Sequence, residues 1–131
     1  MIVLDTHVLV WWVTAEPKLS TKARRAIKTA ARRNSVVAST ISILEIATAV
    51  RSGRLTLSQP LNQWLGDVRS LPELQFEPVT IDIASSAGAF DESTPGDPAD
   101  RIILATATTL GARLVSADRE LRDNPHVEVV W

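Results

Sequence analysis

Four carboxylates stand where they could do chemistry together. Asp5 directly follows the apolar run Ile2-Val3-Leu4. Glu45 lies three residues after Ser42, Asp100 lies within DPADR, and Asp118 follows Leu114-Val115 by a short step through Ser116. Each has a plain structural reading. Asp5 can end a strand or cap a helix, Glu45 can complete a capping box with Ser42, and Asp118 can cap a short helix. Gathered at one place without basic partners, the same four would repel one another, and at least one pKa would rise. A divalent cation removes that repulsion. Oxygen ligands with no cysteine and no paired histidines select magnesium, with manganese as a substitute, over zinc. A phosphate ester is the natural substrate, because a metal polarises the phosphoryl oxygen, activates water and neutralises the leaving oxygen.

Asp97 and Asp100 separate on helical geometry. Asp97 precedes Pro98, and Asp-Pro is an N-cap followed by proline at the first helical position. Asp100 shares a helical face with Ile103, Leu104, Ala107 and Gly111, so that it turns toward a sheet. A carboxylate there is costly unless it is paired or binds a cation, although its first-turn position lets the helix dipole help. Arg101 points about 100° away around the wheel and is a poor partner for it.

The elements that must position these residues alternate strand and helix. Ile2–Leu4 and Ser35–Ala38 read as strands buried on both faces, and Leu74–Val79, Arg113–Val115 and Val127–Val130 as further strands. Helices are expected from Thr6, acting as cap, through Val13, and from Ser20 or Thr21 to about Arg33. A third opens at a Ser42–Glu45 capping box and runs to about Ser52, where Gly53 stops it. Others span Ser58–Ser70, Asp82–Phe90 and Pro98–Leu110, the last closed by Gly111, with a short turn of helix over Asp118–Arg122. Such alternation implies a mostly parallel sheet of about five strands covered on both sides, with right-handed crossovers. Ligands of such sheets bind beyond the carboxyl ends of the strands. Asp5, Glu45, Asp97, Asp100 and Asp118 all map to that rim.

Bulk properties narrow the class. The 131 residues fit one domain, residues 1–131, and 45% hydrophobic content fills a core without staples. With no cysteine, disulfides and cysteine-ligated zinc are excluded. MIVLDTHVLVWW has no basic n-region and no small-residue cleavage site, and the apolar runs fall short of the ~18–20 residues of a membrane span. A soluble, cytoplasmic protein without membrane contact is expected. Net charge is only -1, but seven of the 14 basic residues fall between Pro17 and Asn34, where there is no acid. That helix, from Lys22 to Arg33, either receives a phosphate backbone or is simply a solvated face. No P-loop, GxGxxG or Ser-x-Gly elbow is present. His126, beside Pro125, is expected on a surface loop. His7 is expected to pack in the first helix turn, with a place facing the site as the alternative. The four tryptophans read as core or interface anchors.

Four segments together resemble a known family. IVLDTHVLVWW at the start, STISILEIA at Ser39–Ala47, DPADRIILATA at Asp97–Ala107 and ARLVSADREL at Ala112–Leu121 are similar in order and spacing to PIN-domain proteins of the VapC type, the toxins of VapBC toxin–antitoxin pairs. The resemblance implies a three-layer α/β/α sandwich and a magnesium- or manganese-dependent endoribonuclease. It also implies a homodimer inhibited by a small VapB-type antitoxin. By motif, Asp5, Glu45, Asp100 and Asp118 are the four catalytic acids, with Asp5 and Asp100 as direct metal ligands. Thr6 and Ser116 fill small hydroxyl positions beside them, and Asp97 supports the same cluster. Many relatives carry His-Arg just before DPxDR, where this chain has Pro95-Gly96, so a basic contact to substrate or partner is missing at that point. Two other functions remain open on the residues alone: a nucleic-acid or partner-binding module without turnover, and a DNA-directed metal phosphoesterase.

Overall fold

The computed structural model describes residues 1–131. In chain order the elements are β1 (Ile2–Leu4), α1 (Thr6–Val13), α2 (Thr21–Ala31), β2 (Val36–Ser39), α3 (Ile41–Arg51), α4 (Leu61–Arg69), β3 (Leu74–Glu77), α5 (Ile81–Ala89), α6 (Pro98–Leu110), β4 (Arg113–Val115) and β5 (Val129–Val130). The sheet order is β3-β2-β1-β4-β5. Every neighbouring pair is parallel, so the sheet is wholly rather than mostly parallel.

Successive strand residues face opposite sides of the sheet, and the core divides accordingly. Ile2, Leu4, Val36, Ala38, Val115 and Val130 form one cluster with Val8 and Leu9 of α1, Ala23 and Ile27 of α2, and Trp64 and Val68 of α4. Val3, Val37 and Leu114 face the other way, against Ile103, Leu104 and Ala107 of α6. Behind α6 lies α5, whose Ile83 and Ala87 meet Ala105. The result is the expected three-layer α/β/α sandwich.

Local signals explain the elements. Helix α2 buries Ala23, Ile27 and Ala30 at helical spacing and exposes its cations, and Ser20 Oγ caps it by accepting from the Ala23 N–H at 3.0 Å. Helix α6 is capped by Asp97, starts at Pro98 and ends at Gly111 in the left-handed region, φ 62°. A Cβ at Gly111 would meet nothing within 4 Å, so its cost is conformational alone. Gly111→Ala should destabilise the fold by about 1 kcal/mol, lowering Tm by roughly 3–5 °C in thermal unfolding followed by circular dichroism.

Some expected boundaries move. Thr6 does not cap α1: Asp5 does, accepting from the Thr6 N–H at 2.8 Å. Helix α4 begins at Leu61 rather than Ser58, after Pro60 in an extended conformation, φ -56° and ψ 146°. The stretch Asp118–Arg122 forms turns instead of a helix. There Asp118 Oδ1 accepts from the Glu120 N–H at 2.9 Å, and this side-chain turn competes with a helical start.

Candidate active site

In the sheet order, the chain leaving β1 moves toward β2, while the chain leaving β4 moves toward β5. A crevice therefore opens between the carboxyl ends of β1 and β4, the position where open parallel sheets bind ligands. Asp5 enters it from β1 and Ser116 from β4. Ser116 Oγ donates to Asp5 Oδ2 at 2.7 Å, while Asp5 Oδ1 takes the Thr6 N–H. Asp5 is 8% exposed, and its carboxylate is fixed through both oxygens, by the first residue of α1 and by the residue after β4. Ser116 Oγ also accepts from the Asp118 N–H at 3.1 Å, which ties the fourth acid to the first.

A second polar link joins α1 to α3. Thr6 Oγ1 donates to Glu45 Oε1 at 2.5 Å and lies 2.8 Å from Ser42 Oγ. The single threonine proton goes to the carboxylate, so Ser42 must be the donor in the second bond. This corrects the capping-box expectation. Helix α3 starts after Thr40, whose side chain makes no cap bond, and Ser42 is fully buried within its first turn. Ser42 and Glu45 answer a neighbouring helix rather than their own N-terminus. Glu45 is half-buried at this contact. Burial raises its pKa, opposed by the Thr6 hydrogen bond and reinforced by Asp5 and Asp97.

Asp97 Oδ1 accepts from the Asp100 N–H at 3.1 Å, as a cap should. Asp97 nevertheless lines the same cleft as Asp5, Glu45, Asp100 and Asp118, a volume of about 480 Å3 with His7 and Trp11 on its wall. The expected convergence of all five carboxylates is therefore what the structure has. Asp100 suffers most from it: its carboxyl is pushed up to about 7, first by burial and then by the charges of Asp5, Asp97, Asp118 and Glu45. Arg101 gives it no relief. Its guanidinium donates to the carbonyls of Ala87, Phe90, Thr94 and Pro95.

No three of the acids stand in a ready-made chelating arrangement. A hard divalent cation that keeps several of its waters needs only one or two carboxylates directly, so the cluster could still hold one. An all-oxygen donor set with mutual repulsion and no cation suits such an ion. A larger cavity, about 530 Å3, lies between Val13, Glu16, Trp64 and Asp67. It carries only two of the chain's acids, so chemistry rather than size selects the crevice.

Ser42 and Trp11 are site residues the sequence did not bring forward, while His7 takes the alternative place, on the wall of the cleft. His7 is exposed and tilts against Trp11 with ring centroids 5.8 Å apart, instead of packing in the first turn. Its spacing of four from Trp11 places both on one side of α1, the signal that could have found them. His126 is exposed as expected, against the Phe90 ring at 4.9 Å.

The chain is similar to known proteins in sequence and in fold. The chain is 37% identical over 132 residues to Ribonuclease VapC22 of Mycobacterium tuberculosis, covering 99% of this chain and 98% of that protein. Its fold is that of VapBC2 from Rickettsia felis, solved bound to a DNA fragment from their promoter, with TM-score 0.72, 18% identity and coverage of 98% of this chain and 97% of that one. A toxin-antitoxin complex from Klebsiella pneumoniae superposes with TM-score 0.65 at 17% identity, covering 97% and 95% of the two chains. Residues 2–127 match the PIN domain. With that match over nearly the whole chain, and the resemblance of its motifs borne out, the protein belongs to the PIN-domain family.

Proposed function

We propose that this chain is one PIN domain acting as the toxin of a toxin–antitoxin pair: an endoribonuclease that hydrolyses RNA phosphodiester bonds with magnesium, or manganese in its place. The observation that carries the reading is the cleft itself, where five carboxylates meet and every neighbouring acid raises the carboxyl of Asp100. Its 37% identity to a protein named as a ribonuclease supports RNA as the substrate, and the toxin–antitoxin neighbours support a small VapB-type antitoxin as inhibitor. The proposal extends to a homodimer. No helix is long and apolar enough to cross a membrane.

Asp5 and Asp100 would hold the ion. When bound, it supplies polarisation of the phosphodiester and positive charge to offset the acids. The residues do the rest. Asp5 is held rigid by Ser116 and the Thr6 N–H. Glu45 has Oε1 occupied by Thr6, which leaves Oε2 to accept a proton from an attacking water, and its raised pKa favours that role. Asp118, fixed by Ser116 and by its own turn, orients water on the opposite wall. Water attack at phosphorus with departure of the 3′ oxygen leaves a 5′-phosphate and a 3′-hydroxyl.

The test is cleavage of total RNA, and of single-stranded RNA and DNA of one sequence, with magnesium, with EDTA and with magnesium restored. RNA should be cut only with the ion present, and DNA left intact. Asp5→Asn should lower the rate at least roughly hundredfold while remaining folded. Full cutting in EDTA, or RNA that is bound yet never cut, would sink the reading, and preferential cutting of DNA would replace it with a deoxyribonuclease.

A further inference from the structure

An acid cleft repels a polyphosphate chain, so nearby groups must hold the substrate against that repulsion. The basic helix α2, from Lys22 to Arg33, was open to two readings, a contact to the phosphate backbone or a solvated face. It precedes β2, so its N-terminus meets the carboxyl rim of the sheet and its C-terminus meets the far edge. At 1.5 Å per residue, Arg32 lies about 15 Å further along the axis than Lys22. Only the first turn reaches the carboxyl rim.

That turn adjoins an aromatic row that begins in the cleft. His7 and Trp11 wall the acid cleft. Trp131, the residue after β5, lies 5.9 Å from Trp11, ring centroid to centroid. Lys18 Nζ sits 5.7 Å from the Trp11 ring. Trp131 then lines a separate hollow of about 350 Å3 with Lys22, Arg122 and Val129. Both tryptophans are half-buried, packed against the main core on one side. Lys18, Lys22 and Arg122 are exposed. Two of the chain's 4 tryptophans are thus anchored as stiff rings at the rim, with cations beside them and no acid lining the hollow.

We infer that the Trp11–Trp131 row with Lys18, Lys22 and Arg122 is a subsite for single-stranded RNA on one side of the scissile phosphate. This rests on the ribonuclease reading above. Aromatic rings accept the face of any base, and cations alongside follow the backbone, which is how unpaired strands are gripped without sequence readout. Core packing fixes the rings before substrate arrives, so little ordering is lost on binding. The hollow gives the strand a path away from the carboxylates.

The subsite is tested with a fluorescein-labelled single-stranded RNA 12-mer of mixed sequence. Affinity is read by anisotropy in calcium, and KM and kcat by cleavage in magnesium. Trp131→Ala should weaken binding and raise KM roughly tenfold, with kcat within about twofold, and Trp131→Phe should recover most of the loss. Lys22→Gln with Arg122→Gln, both on exposed side chains, should weaken binding and lower the salt slope by roughly 0.7 per cation removed. Unchanged affinity and KM in the Lys22/Arg122 double variant overturns the subsite, whatever the fate of Trp131→Ala. A folded Trp131→Ala that binds like wild type does so equally. If wild type itself cuts no RNA, the ribonuclease reading falls and takes the subsite with it; if wild type cuts and the variants match it, the subsite alone falls.

Discussion

Asp100→Asn is expected to reduce RNA cleavage by at least about a thousandfold and, in the same protein freed of metal, to raise stability at pH 8. Both effects come from one carboxyl. Asp100 turns toward the sheet beside Ile103, Leu104 and Ala107, which are fully buried, and its carboxyl is raised from 3.8 to about 7 by burial and by four neighbouring acids. A raised carboxyl binds its proton more tightly folded than unfolded. Below about pH 4 it is protonated in both states and costs nothing. Between about pH 4 and pH 7 the unfolded chain ionises first, so folding becomes less favourable as pH rises. Above pH 7 the full repulsion acts. Asparagine has no such slope, so the two stability curves should meet at low pH and part above neutrality by about 1–2 kcal/mol, a figure reduced because the group is half exposed and solvent screens it.

Magnesium, on the function proposed above, should reverse the order: it would bind the ionised cluster, so its stabilisation of wild type should be larger at pH 8 than at pH 6 and should be small in Asp100→Asn. Chemical denaturation at pH 5, 6, 7 and 8, with magnesium and with EDTA, measures all of this. An Asp100→Asn protein equally destabilised at every pH would make the carboxylate a structural group. One that cleaves normally would remove it from the site.

The sequence made Asp100 legible because its position depends on one helix. Asp97-Pro98 sets where α6 begins, and a spacing of three, four and seven then carries the face to Ile103, Leu104 and Ala107. Asp5 and Ser116 were legible for a similar reason: each follows a short apolar strand, and parallel strands end at one rim. Contacts between distant segments were not legible. Ser42 and Glu45 have capping-box spacing, but their partner is Thr6, 36 and 39 residues away, and no local pattern carries that information. Asp118 reached the cleft as expected, but the helix expected to follow it is a turn for a local reason, since an aspartate followed by polar residues serves a turn as well as a helix. The basic run from Lys18 to Arg33 was read as one surface because charge counts carry no direction; the helix axis divides it into a rim end and a far end.

Arg101 shows how a residue next to the strongest candidate can matter without touching the chemistry. It was expected to be a poor partner for Asp100, and its hydrogen bonds explain why. Nε donates to the Ala87 carbonyl at 2.9 Å and Nη2 to that of Phe90, while Nη1 reaches Thr94 at 3.4 Å and Pro95 at 3.3 Å. Ala87 and Phe90 lie in the last turn and cap of α5, where carbonyls lack helical partners and a positive charge meets the negative end of the dipole. Thr94 and Pro95 belong to the loop that delivers Asp97 and α6. One planar guanidinium therefore joins the end of α5 to the approach of the acid-bearing helix, with the Phe90 ring 5.9 Å away. Arg101→Leu should cost about 3 kcal/mol, since hydrogen bonds to a charged donor are lost and carbonyls are left without partners, and should lower Tm by roughly 10 °C. Arg101→Lys should recover little, because a single ammonium cannot serve carbonyls lying in several directions. Cleavage should fall in both, but unlike in Asp100→Asn, part of it should return with high magnesium, because the acids remain and only their placement has loosened. If Arg101→Leu keeps the wild-type Tm, the tether does not hold α5 to α6. If it is as inactive as Asp100→Asn at every magnesium concentration, Arg101 acts on the substrate and not through position.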